Sequence, residues 1–187
     1  MAPFHNLTSS LISELGDALE AIDESDVAAL RRAILQARRV FVAGKGRSGL
    51  QMQAFAMRLV HLGLMVHAVS ECTTPGIGKG DLLVIGSGSG QTASLVDYAR
   101  RARNLQAQVS LITTTASSPI GDQAVCVVCI PAPTPKLAGS DMSLSIQPMG
   151  SLFEQSLGLV LDIVILQLMD DIGMDAEQMF TRHANLE

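Results

Sequence analysis

Tryptophan is absent from this chain, tyrosine occurs once, and aromatics make up 3% of its 187 residues. Few bases could be stacked by so few rings, which argues against a single-stranded nucleic-acid platform. Positive charge is also scarce. Thirteen Lys and Arg stand against 18 Asp and Glu, for a net charge of −5 and a sequence pI near 5.3. A duplex binder would carry a basic face, and none is visible, so no nucleic-acid partner is expected. The three cysteines are too few, and odd in number, for a disulfide framework, which suits a cytoplasmic location. Cys126 and Cys129 do form a CxxC, but inside AVCVVCI, which reads as a strand. Positions three apart on a strand face opposite sides, so neither a metal nor a redox role is expected. No basic-then-apolar leader opens the chain, and the most apolar stretch, 157–169, is broken by Asp162 and Gln167. It reads as too short and too polar to span a membrane. No ligand cluster calls for a metal or a cofactor.

What is present is apolar material in a regular order. Hydrophobic residues make up 48% of the chain, enough for one domain that buries roughly 70% of its unfolded surface. Leu7, Leu11, Leu15, Leu19 and Ile22 recur at helical spacing, and Ser25 reads as the N-cap of a second helix. Short apolar runs at 39–44, 65–70, 81–87, 107–114 and 124–130 then alternate with helical stretches at 48–62 and 91–104. A Pro-rich loop follows, then a long helix near Ser151 and a short one near Asp175. The organisation expected is a single domain: N-terminal helices over about 6–37, an α/β core over about 39–131, and C-terminal helices over about 150–181. Continuous apolar strands alternating with helices imply a three-layer α/β/α fold with a five-stranded parallel sheet. The flavodoxin-like order 2-1-3-4-5 places the switch point between strands one and three.

The loops at that switch point are the two richest in glycine, GKGRSG (44–49) and GSGSGQT (86–92). Each leads into a helix, whose start offers unpaired N–H groups and the positive end of a dipole. Glycines such as Gly46 let a ligand approach the backbone, while Ser48, Ser87, Ser89 and Thr92 add hydroxyls. Arg47 adds a guanidinium suited to bidentate contact, with Lys45 beside it. A phosphate is the natural guest. The plainer alternative is that these are tight strand-to-helix turns whose hydroxyls cap helices.

Sharper motifs compete. The P-loop pattern is absent, and GSGSG misses the nucleophile elbow because its central residue is glycine. Gly44, Gly46 and Gly49 match GxGxxG after a strand, with Glu71 near the place of a ribose-binding acid. A dinucleotide site would leave the second hydroxyl-rich loop unexplained.

Ser151-Leu-Phe-Glu154 reads locally as a capping box. The helix it opens is apolar on nearly every face, which points to a subunit interface. At the edge of such a region Glu154 could instead serve as a general base. His61 and His67 read as packed or surface histidines, and His5 lies in the chain start. His183 falls in the tail and would matter only if the tail docks at a neighbouring subunit's site.

GKGRSG followed by SGSGQT resembles the sugar isomerase (SIS) domain family. The wider blocks GKGRSGLQMQAFAMRLVHLG, ECTTPGIGKGDLLVIGSGSGQT and MFTRHANLE extend the resemblance from about residue 7 to the end, toward its ketose-phosphate isomerases. The resemblance implies a homotetramer and the interconversion of D-arabino-3-hexulose 6-phosphate and fructose 6-phosphate in formaldehyde fixation by the ribulose monophosphate pathway. It implies phosphate contacts from Ser48, Ser87, Ser89 and Thr92, with Gly46, Arg47 and Gln91 alongside, and catalysis by Glu154 and His183. Another sugar phosphate, or a non-catalytic sugar-phosphate sensor, is the alternative. With an N-terminus this short and acidic, the DNA-binding module of such sensors is not expected.

Overall fold

Five apolar runs pair into one parallel sheet. The computed structural model describes residues 3–137 and 139–186. Its elements are α1 (Phe4–Glu20), α2 (Glu24–Gln36), β1 (Val40–Gly44), α3 (Gly46–His61), β2 (Val66–Ala68), β3 (Leu82–Gly86), α4 (Ala93–Asn104), β4 (Gln108–Thr113), β5 (Cys126–Cys129), α5 (Ser151–Ile172) and α6 (Ala176–Phe180). The strand order is β2-β1-β3-β4-β5, with every neighbouring pair parallel. The fold is the α/β/α arrangement with the doubly wound order expected from the alternation of runs.

Both faces of the central strands β1, β3 and β4 are buried, which is why their runs read as continuous and not as alternating. Val40, Val42, Leu82 and Val84 point into the core beneath α2, α3 and α5. Phe41, Ala43, Leu83 and Ile85 point the other way, toward Leu95, Ala99 and Ala102 of α4. At the N-terminal edge of β3, the buried Asp81 binds both Arg38 and Arg39, the latter at 2.7 Å. Burial alone would raise the Asp81 pKa. The hydrogen bonds from Arg39, Arg38 and the Gly78 N–H outweigh it and hold the carboxyl at about 2.

Helix starts differ from the sequence expectation at two places. The N-cap of α2 is Asp23, whose carboxylate accepts the Ser25 N–H at 2.8 Å. Ser25 already lies inside the helix. At α5 the N-cap is Gly150, and no side-chain capping bond forms. Ser151 therefore stands one position too far in to be the cap, and the capping box of Ser151 and Glu154 does not exist. A capping box does form at α6, between Asp175 and Gln178.

The long helix also exceeds the stretch judged from sequence. With 22 residues, α5 is long and apolar enough to cross a membrane by length and composition. In the fold it is a core helix. Phe153, Leu157, Leu161, Val164 and Leu168 are buried, packed within the same apolar cluster as α2 and α3. Leu159, Ile163 and Leu166 remain exposed on its outer side.

Candidate active site

The register of the sheet brings the two glycine-rich loops together. Gly44 at the end of β1 pairs with Gly86 at the end of β3, so both loops leave the sheet at the same level. In the first loop, a Cβ on Gly44 would lie 2.8 Å from the Gly49 Cα, and one on Gly49 would lie 2.9 Å from the Gly44 carbonyl oxygen. Strand and helix backbones touch there. Gly46 has φ +58 with open space around it. Two of the three glycines of GxGxxG are thus required by strand–helix packing itself.

The second loop is pinned from β4. The Ser87 N–H donates to the Ile112 carbonyl at 2.9 Å, and the Thr114 N–H donates to the Gly88 carbonyl at 3.0 Å. The hydroxyls of Thr113 and Thr114 donate to the same Gly88 oxygen. The Ser87 N–H and the Gly88 carbonyl thus brace the loop against the end of β4. Its hydroxyls are not absorbed as helix caps. The N-cap of α4 is Thr92 and that of α3 is Lys45, and neither makes a side-chain capping bond. The Ser89 hydroxyl accepts the Gln91 N–H at 3.4 Å. Ser48, Ser87 and Ser89 are buried polar residues at the floor of a cleft.

That cleft has a volume of about 210 Å³. Of the residues expected from sequence, Gly46, Ser48, Ser87, Ser89, Thr92 and Glu154 line it. Glu154 enters from the first turn of α5 and forms an ion pair with Arg47, 2.8 Å from Nε to Oε2. The Glu154 side chain is 22% exposed, so its carboxylate is partly desolvated yet reachable.

Three expected residues lie elsewhere. Arg47 is engaged by Glu154 and does not line the cleft. Gln91 does not line the cleft; its amide donates to the carbonyl of Lys136, which does, at 2.9 Å. His183 stacks near His61, with ring centroids 5.3 Å apart. His61 ends α3 while Ser48 begins it, so by helical rise the two lie roughly 20 Å apart. Burial pushes the His61 pKa down, and the charges of Arg58 and His183 push the same way.

Sequence reasoning missed the contribution of the Pro-rich loop. Thr134, Pro135 and Lys136 of the Pro-rich loop, with Met149 and Phe153, complete the cleft. An aperiodic loop gives no signal of what it faces; a lysine among prolines was the available hint. At β5, Cys126 lies buried and Cys129 half-buried. Burial pushes the Cys126 thiol up to about 11 and raises Cys129 too, so neither is a ready thiolate.

Comparisons with known proteins bear on the fold and the family. Residues 33–157 match the family model described as SIS domain. The chain is 45% identical over 179 residues to a 3-hexulose-6-phosphate isomerase of Bacillus subtilis, covering 96% of each. It is also 45% identical over 182 residues to a 3-hexulose-6-phosphate isomerase of Mycobacterium gastri, covering 97% of this chain and 90% of that protein. A crystal structure from Methanococcus jannaschii, described as inferring a molecular function of 3-hexulose-6-phosphate isomerase, aligns with TM-score 0.83 at 30% identity. It covers 97% of this chain and 99% of that one. By its profile match, its relatives and its fold, the chain belongs to the SIS-domain family.

Proposed function

We propose that the protein is a 6-phospho-3-hexuloisomerase, interconverting D-arabino-3-hexulose 6-phosphate and fructose 6-phosphate. The observation that carries this reading is one cleft shared by the serine-rich loop and Glu154. The sequence identity to proteins of that name supports the substrate. Ser48, Ser87, Ser89 and Thr92, with helix-start N–H groups, take the phosphate. Glu154, across the cleft, then meets the sugar carbons.

The reaction moves a carbonyl from C3 to C2. The Glu154 carboxylate removes the C2 proton, giving a cis-enediol, and the resulting carboxylic acid returns a proton to C3. A second acid/base group carries the proton from O2 to O3. Arg47 holds the carboxylate in place by its ion pair. A 3-ketose could close a five-membered ring only through O6, which carries the phosphate, so this substrate is open-chain. Fructose 6-phosphate cyclises through O5, so a ring-opening histidine matters most in the reverse direction. In its own chain His183 is at the far end of α3, so an acid/base role for it requires a neighbouring copy. The exposed Leu159, Ile163 and Leu166 of α5 support self-association, for which we take the homotetramer as the form in the cytoplasm.

The test is direct. Protein and D-arabino-3-hexulose 6-phosphate are mixed, and fructose 6-phosphate formation is coupled to an NADP-linked readout. Turnover supports the proposal. Thermal stabilisation by the sugar phosphate without turnover would assign a sensor instead.

A further inference from the structure

We infer that Lys136 is a substrate-binding residue that brings positive charge over the phosphate cradle, and that Gln91 is the positioning residue that holds it there. The inference rests on the cleft being the sugar-phosphate site proposed above. Its starting point is electrostatic. A chain of net charge −5 takes up a dianionic ligand more readily where a cationic side chain adds to the helix-start N–H groups at the site. Arg47 is drawn onto Glu154. Lys45 lines the cleft as well, but its ammonium sits 5.4 Å from the centroid of the Tyr98 ring, against α4. Lys136, on the Pro-rich loop, also lines the cleft. Among the described residues, no ion pair takes up its ammonium.

The segment that carries Lys136 is poorly tethered by its own backbone. Pro131, Pro133 and Pro135 remove three N–H donors within five residues. Among the described residues, the last backbone bond from this segment to the sheet is from the Ile130 N–H to the Thr113 carbonyl, at 2.8 Å. Beyond it, the Thr134 N–H donates to Ser140 Oγ and the Leu137 N–H to the Thr134 carbonyl, both within the segment. Behind it lies a second cavity of about 580 Å³, lined by Pro131, Pro133 and Glu14 among others, so packing from the rear is incomplete. The hydrogen bond from Gln91 Nε2 to the Lys136 carbonyl, 2.9 Å long across 45 residues of sequence, ties the segment to the phosphate loop. Gln91 stands between Gly90 and Thr92 in that loop, and its own N–H contacts Ser89 Oγ. Cradle and lysine are therefore set by one residue: the backbone of Gln91 belongs to the phosphate loop and its side chain fixes the Pro-rich loop. This also gives Gln91 a role other than direct phosphate contact.

The test uses the full chain, with fructose 6-phosphate and inorganic phosphate as probes. Lys136→Ala is expected to weaken both ligands about tenfold, as for loss of a charge-assisted contact. It should raise KM with little change in kcat, and flatten the dependence of binding on salt. Lys136→Arg should restore most of the affinity. Gln91→Leu should raise KM in the same direction and speed tryptic cleavage after Lys136 in the ligand-free protein. Wild-type affinity and salt dependence in Lys136→Ala would overturn the inference, as would unchanged cleavage and KM in Gln91→Leu. The double variant Ser87→Ala with Ser89→Ala is the control. If it binds phosphate normally, the site itself is wrong and this inference falls with it. If it loses phosphate while Lys136→Ala does not, only the present inference fails.

Discussion

Arg47 Nε stands 2.8 Å from Glu154 Oε2, so the first turn of α3 and the first turn of α5 are joined by a single ion pair. Both residues had another use open to them from local sequence, as phosphate ligand and as capping-box acid. Instead each orients the other. Glu154→Gln keeps the shape and removes the base, so kcat should fall roughly a hundredfold or more while fructose 6-phosphate still binds. Arg47→Ala should lower kcat less, by about tenfold, because the carboxylate remains but loses its fixed aim. Steady-state kinetics with calorimetric binding separates the two. Near-normal kcat in Glu154→Gln would place the base elsewhere.

His183 and Glu154 cannot meet within one chain, which makes complementation a sharp test of shared sites. Glu154→Gln and His183→Ala are each expected to be impaired alone. If a site takes its acid from one copy and its histidine from another, mixing and exchanging subunits should restore about a quarter of wild-type activity, by statistical pairing of isologous partners. No recovery after verified exchange would remove His183 from the chemistry.

Acid should strip stability through Asp81. Its folded pKa is about 2 against a reference of 3.8. The folded state thus holds fewer protons than the unfolded state between those values. The associated stability, roughly 2 kcal/mol by linkage, is complete above the unfolded pKa and is lost as pH falls from 4 toward 2. His61 adds a second loss in the same direction, as pH falls below its reference of 6.5, because its folded pKa is lowered. Urea unfolding at a series of pH values should show both. In Asp81→Asn the loss between pH 4 and 2 should shrink.

The glycines of GKGRSG divide by cause. Gly44→Ala would drive a Cβ against the Gly49 Cα, backbone against backbone, and should destabilise severely or prevent folding. Gly46→Ala meets no atom and bears only the strain of φ +58, about 1–2 kcal/mol. Thermal melts of the two variants should differ by many degrees. Equal melts would mean that the first loop relaxes without cost.

The tertiary order was legible because it is written in periodicity. Strands buried on both faces must be apolar throughout, and a run that ends in glycine before a helix marks a strand-to-loop junction. Those two facts, with the parallel order, led to the switch point and hence to Ser48, Ser87, Ser89 and Thr92. Helix caps were less legible. Ser25 and Ser151 carry the right chemistry one or two positions inside their helices, and only backbone geometry tells a cap from a first turn. Gln91 reads as one with its loop neighbours, yet its side chain bonds to the Pro-rich loop at the Lys136 carbonyl.

Local apolar patterns and crossover handedness leave few alternatives to this sheet, its strand order and the pairing of two small-residue loops at one edge. Tertiary structure alone decided which charged groups meet there. Glu154 arrives from a helix more than a hundred residues after Arg47, Lys136 from a loop without periodicity, and His183 comes to rest beside His61 and away from the cleft. Long-range electrostatic contacts leave no local pattern. They follow from where the packed core carries the ends of its helices.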